Sequence, residues 1–159
     1  ALPNLPQARG LAGTLFVHKV AGHLAETGGD LATVTAAAEA VIANTSSIGM
    51  SLDTCTVPGS AKENRIRPGM AELGLGIHGE PGVEQIAFSN ATSAMAAMLA
   101  KLNPGDGTYV ALLNNLGGAS VLEMSVLAHD LLGSDFGKQI KYIIGPAAMM
   151  TSLDMRGVV

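Results

Sequence analysis

Tyr109-Val110-Ala111-Leu112-Leu113 runs into Asn114-Asn115-Leu116-Gly117-Gly118 and then Ser120-Val121-Leu122-Glu123-Met124. An almost unbroken apolar run of five reads as a strand buried on both faces. The Asn/Gly cluster after it reads as a turn. Ser120 and Glu123 stand at capping-box spacing and open a helix with Val121, Met124, Ala128 and Leu131 on one face. Strand, tight turn and capped helix in succession point to an α/β fold.

The flanking sequence agrees. Residues 11–27 read as a helix with Gly13, Val17, Val20 and Leu24 along one side, ended by Gly28-Gly29. Asp30 caps a second helix whose stripe is Leu31, Val34, Ala38, Val41, Thr45 and Ile48. Met50, Leu52, Thr54 and Thr56 suggest a strand closed by Val57-Pro58-Gly59, and polar residues 59–71 an exposed loop. Leu73–Ile77 reads as a short strand. Ser89 or Asn90 caps a third helix carrying Met95, Met98, Leu99 and Leu102, and Ile140–Ile144 makes a last strand. The expected architecture is a layered sheet of about four or five strands flanked by helices, in one domain spanning 1–159.

Composition narrows the function. Hydrophobic residues make up 48% of the 159 and aromatics 3%, so Ala, Leu, Val, Ile and eight Met must build the core. Charged residues are 14%, against about 25% in an ordinary domain; part of the surface is expected to be covered by another domain or a second copy. A formal charge of −4 without a Lys/Arg cluster argues against nucleic-acid binding. The chain lacks a stretch of about 18 apolar residues, which argues against a membrane span. The single cysteine, Cys55, excludes an internal disulfide framework and a multi-Cys zinc site, and it reads as a buried small hydrophobe. Without a secretory-type leader in the sequence, a cytoplasmic setting is the simplest expectation.

The chemistry concentrates in Gly74-Leu75-Gly76-Ile77-His78-Gly79-Glu80-Pro81-Gly82. Gly74, Gly76 and Gly79 match the dinucleotide fingerprint, but Glu80-Pro81-Gly82 follows where a helix must start, and the distal acidic residue is missing. NAD binding is therefore rejected. Imidazole titrates near neutral pH, so His78 is available as nucleophile, base or ligand, or it has no role. His18 and His23 read as packing or surface residues, and His129 as solvated. For Asn114-Asn115, a ligand loop and a plain turn stand side by side.

Five ordered segments together resemble the dihydroxyacetone kinases, specifically the second half of their substrate-binding (K) unit. They are Arg9–Thr14 with His18–Gly22; Ser51–Gly59; Glu72–Gly82; Asn114–Gly118; and Thr151–Met155 with Gly157. The resemblance implies that His78 binds the ketone of dihydroxyacetone covalently as a hemiaminal, with Gly76, Gly79 and Glu80 as substrate-loop candidates. It implies no cofactor or metal held by this chain; Mg-ATP or a phosphorylated partner would come from a nucleotide-binding (L) unit. It further implies a missing N-terminal K subdomain and a homodimer. The stretch from Gly82 to Tyr109 looks short for the family, and the chain is expected to be a fragment or one piece of a larger assembly. Two other readings are a non-catalytic co-activator paralogue that senses the ketone, and a dimerisation or scaffold module.

Overall fold

The computed structural model describes residues 11–78 and 80–159; Arg9 and Gly10 of the first segment, and Gly79, lie outside the described residues. The elements in chain order are α1 (Thr14–Glu26), α2 (Leu31–Ala43), β1 (Met50–Ser51), β2 (Met70–Leu73), β3 (Glu84–Ala87), α3 (Ala91–Leu102), β4 (Tyr109–Asn114), α4 (Val121–Gly133), β5 (Ile140–Ala147) and β6 (Gly157–Val158). Short 3₁₀ turns precede α1 and β5. The α/β reading holds. The strands divide between a four-stranded antiparallel sheet, ordered β3-β2-β1-β6, and a parallel pair, β4-β5.

Helix starts follow the local chemistry. The Asp30 carboxylate accepts the Thr33 N–H at 2.8 Å, and that bond lowers its pKa. Asn90 with Ser93, and Ser120 with Glu123, form complete capping boxes at α3 and α4; each satisfies two otherwise orphaned donors. Asn103 ends α3 in the left-handed conformation, φ 43°.

One core packs Met50, Ala71 and Leu73 of the antiparallel sheet against Met95, Met98, Met124 and Leu131 of α3 and α4. A second gathers Ala12, Leu75, Leu116, Met155 and Val159. The two sheets are stitched where β4 ends: Asn114 and Val159 exchange both backbone bonds, at 2.8 and 2.9 Å, and the Leu116 N–H donates to Gly157.

Several sequence expectations needed correction. The strand expected over 50–57 ends at Ser51, because the Ser51 hydroxyl donates to the Asp53 carbonyl and turns the chain. Leu73–Ile77 is not one strand: β2 covers Met70–Leu73 and stops at Gly74, φ 74°. β3 and β6 were not anticipated, being four and two residues long without clear alternation. Nor is β4 buried on both faces. Ala111 and Leu113 face the core, whereas Val110 and, on β5, Tyr142 and Ile144 are exposed.

The α2 stripe fails at both ends. Leu31 is exposed, and the helix finishes before Thr45 and Ile48. Val20 of α1 also faces outward, and neither helix contains a fully buried residue. Met95 and Met98 are core residues, but Met149 is exposed. Cys55 is only partly buried, against the second core.

Candidate functional site

His78 stands near the tip of the β2–β3 connection. The base of that loop is closed tightly: the Val83 N–H donates to Leu73 at 2.8 Å and the Gly74 N–H to Gly49 at 2.7 Å. A Cβ on Gly82 would collide with the Leu73 carbonyl and the Glu72 side chain, so glycine there is a packing requirement. Leu75 is buried in the second core and anchors the rising limb. At the tip the His78 side chain is 80% exposed, accessible to an incoming molecule.

Glu80 organises the tip. Its Oε2 accepts the His78 backbone N–H at 2.9 Å, and its Oε1 lies 3.4 Å from His78 Nδ1. Its backbone carbonyl accepts the N–H of buried Gly76 at 3.2 Å. The carboxyl is held below its ordinary range, chiefly by its own backbone N–H and then, against some desolvation, by the His78 backbone N–H. Of the sequence candidates, His78, Gly76 and Glu80 are thus brought together; Gly79 lies outside the described residues.

Other quoted segments converge beneath this loop. Buried Ser152 donates its hydroxyl to the Ile77 carbonyl at 2.5 Å. The 149–155 stretch that carries Ser152 is fixed by Asn114, a fully buried amide. Its oxygen accepts the N–H groups of Met149 and Met150, and its nitrogen donates to the Met150 carbonyl at 2.7 Å. Asn115 folds back on the N–H groups of Gly117 and Ala119. Both asparagines therefore build the support of the loop.

On the neighbouring face, Asp154 accepts from the Thr56 hydroxyl and N–H, which hold its carboxyl down at about 2. Lys62 bridges Asp53 and Asp154 at 2.9 and 3.4 Å. Glu123 is likewise lowered to about 2, mainly by Arg156 and then by Ser120. Because these folded-state values lie below the unfolded ones, both contributions are complete at neutral pH and fade as pH falls through the carboxylate range toward 2. The signals for Ser152, Lys62 and Asp154 were absent from the local sequence, since their partners lie 75 to 98 residues away, save for Lys62 with Asp53.

Among the described residues, no group of three or more His, Cys, Asp or Glu could hold a metal ion, and no helix is long and apolar enough to cross a membrane. An apolar groove of about 730 Å³ lies between α1–α2 and β4, lined by Phe16, Val41, Met98, Leu102 and Tyr109; it does not reach His78.

The sequence profile described as the Dak1 domain matches residues 3–159. Dihydroxyacetone kinase of Citrobacter freundii is 43% identical over 161 residues, which cover 99% of this chain and 29% of that protein. Its native crystal structure superposes with a TM-score of 0.93 over 99% of this chain and 30% of that one. The dihydroxyacetone-binding subunit DhaK of a PTS-dependent dihydroxyacetone kinase from Listeria innocua is 37% identical over 165 residues, covering 94% of this chain and 48% of that protein. The operon co-activator DhaQ shares the fold, with a TM-score of 0.83 at 24% identity over 98% of this chain and 50% of that one. The chain thus spans between about a third and a half of the proteins it resembles.

Proposed function

The chain belongs to the Dak1 domain family, and from that premise we propose that it is the substrate-binding part of a dihydroxyacetone kinase, with His78 as the residue that captures the ketone. The observation that carries this reading is the presentation of His78. The ring is exposed at the tip of a loop whose backbone is tied down at Gly74, Gly76, Ile77 and Val83. A neutral ring nitrogen adds to the electrophilic carbonyl carbon and gives a reversible hemiaminal. Capture by reaction separates dihydroxyacetone from glycerol, which has similar hydroxyls but no carbonyl.

Held in this way, one hydroxyl of the ketone is oriented for phosphorylation, and positioning is a large share of what phosphoryl transfer requires. Mg-ATP or a phosphorylated partner would be held by an L unit or subunit. The rest of the pocket would come from an N-terminal K subdomain. A homodimer in the cytoplasm belongs to the same proposal. The co-activator reading has the weaker support, 24% identity to DhaQ against 43% to the kinase.

The test uses the full protein that carries this chain. Crystals soaked with dihydroxyacetone are expected to show continuous density from a ring nitrogen of His78 to the ligand. A glycerol soak and the His78→Ala variant are expected to show none. Ketone bound at another residue, or equal ketone affinity in the alanine variant, sinks the reading.

A further inference from the structure

We propose that Glu80 is a positioning residue for His78: its carboxylate takes the ring's Nδ1–H and so leaves Nε2 as the nitrogen with the free lone pair. The proposal rests on the reading of His78 as the ketone-capturing residue and adds the residue that orients its ring.

The geometry is that of a two-point hold. One carboxylate oxygen accepts the His78 main-chain N–H at 2.9 Å while the other faces Nδ1 at 3.4 Å, so the same group fixes both the backbone and the ring. The carboxylate is itself anchored from behind, because the Glu80 carbonyl accepts the Gly76 N–H. It stays ionised at neutral pH, and an ionised carboxylate is acceptor-only, so the ring atom facing it must be the protonated one. In a neutral imidazole one nitrogen donates and the other accepts; the partner of the first decides which is which. No comparable carboxylate contact is made by the other ring nitrogen among the described residues.

The bond balance follows. The Nε2 lone pair forms the bond to the carbonyl carbon, and the C=O π pair moves to oxygen, which takes a proton from water. The ring then carries hydrogen on Nδ1 and carbon on Nε2 and is cationic, with the Glu80 carboxylate beside it as counter-charge. Loss of the Nδ1 proton to water gives the neutral hemiaminal, so no net proton is consumed. Without Glu80 the ring divides its population between two tautomers, and only one presents Nε2 as nucleophile.

The experiment is nitrogen NMR of the full protein labelled with ¹⁵N-histidine, at a pH where the ring is neutral and without ketone. The His78 ring is expected to be mainly the Nδ1–H tautomer, and Glu80→Ala to shift it toward Nε2–H. Glu80→Gln, which keeps the size but not the charge, serves the same purpose if the alanine variant does not fold. Dihydroxyacetone KM is expected to rise about tenfold in either variant, as for loss of a charge-assisted hydrogen bond. A parent ring already Nε2–H, or an unchanged tautomer in both variants, overturns the proposal. Ketone on His78 with the same KM in parent and variants also overturns it, while leaving the capture reading intact. A tautomer shift with no ketone on His78 in the parent supports the hold by Glu80 and removes the capture reading instead.

Discussion

Gly117→Ala is expected to destabilise the protein by about 3 kcal/mol or more, the range for a clash added to a forbidden backbone conformation. Gly117 sits at φ 122°, and a Cβ there would land on the Leu153 carbonyl oxygen. That oxygen has nowhere to go. Its segment is pinned by the Ser152 N–H to Leu116 at 2.7 Å, by the Gly118 N–H to Met155 at 2.8 Å and by the bridge between Gly117 and Met155. Gly133→Ala is the control: its Cβ meets nothing within 4 Å at the end of α4, and no change or a gain of under about 1 kcal/mol is expected. Urea unfolding of the two variants decides the matter. A loss below about 1 kcal/mol for Gly117→Ala would mean that the 149–155 support yields, contrary to the packing described.

Arg65→Met is expected to cost about 3 kcal/mol, the lower end for stranding one member of a buried ion pair. Glu72 lies in β2 with a side chain only 5% exposed, and the Arg65 guanidinium meets it at 2.8 Å. The carboxylate in turn holds the Arg65 charge more firmly than usual, raising its pKa. Methionine fills the space of the Arg65 stem but leaves the carboxylate without a counter-charge. The double variant Arg65→Met/Glu72→Leu is expected to recover most of the loss, since removing both charges also removes the desolvation cost. Thermal unfolding of the single and double variants reads this directly; equal losses in the two would show that packing, not charge, carries the effect. Because β2 leads straight into the histidine loop, the single variant also loosens the base on which His78 stands.

What the sequence disclosed was whatever is encoded locally. The capping box at Ser120, the start of α3 at Ser89 or Asn90 and the strand over Tyr109–Leu113 all depend on neighbours within four residues, and these elements were legible. β3 and β6 were not, because short strands are defined by their partners: Gly157 and Val158 are strand only because Met50 and Ser51 lie opposite. The over-long strand at 50–57 failed for a related reason, since a serine hydroxyl bent the chain where apolar alternation continued. His78 was singled out by four surrounding glycines, and Glu80 by its motif. Ser152 and Asn114 lay in segments that carried the resemblance, but their part could not be read locally: one is known by its bond to Ile77, the other by its three bonds to residues 149 and 150. Asn114 and Asn115 looked as much like a ligand loop as like a turn, and their bonds give both a structural part.

The α1–α2 pair, which contains no fully buried residue, sets a hierarchy of motion for the molecule. Segments with little buried apolar surface open at lower free energy than the core and do so as units. Amide hydrogens over residues 14–43 are therefore expected to exchange through local opening of this hairpin, and those of β2 and α3 only when the domain unfolds, as native-state hydrogen exchange would read. The loop that carries His78 belongs to the slow class at its base, because its bonds run to Gly49, Val83 and Ser152 and not to the hairpin. The tie between hairpin and loop is apolar: Leu15 of α1 packs on the second core, which holds Leu75 of the rising limb, so opening of α1 uncovers one side of that anchor.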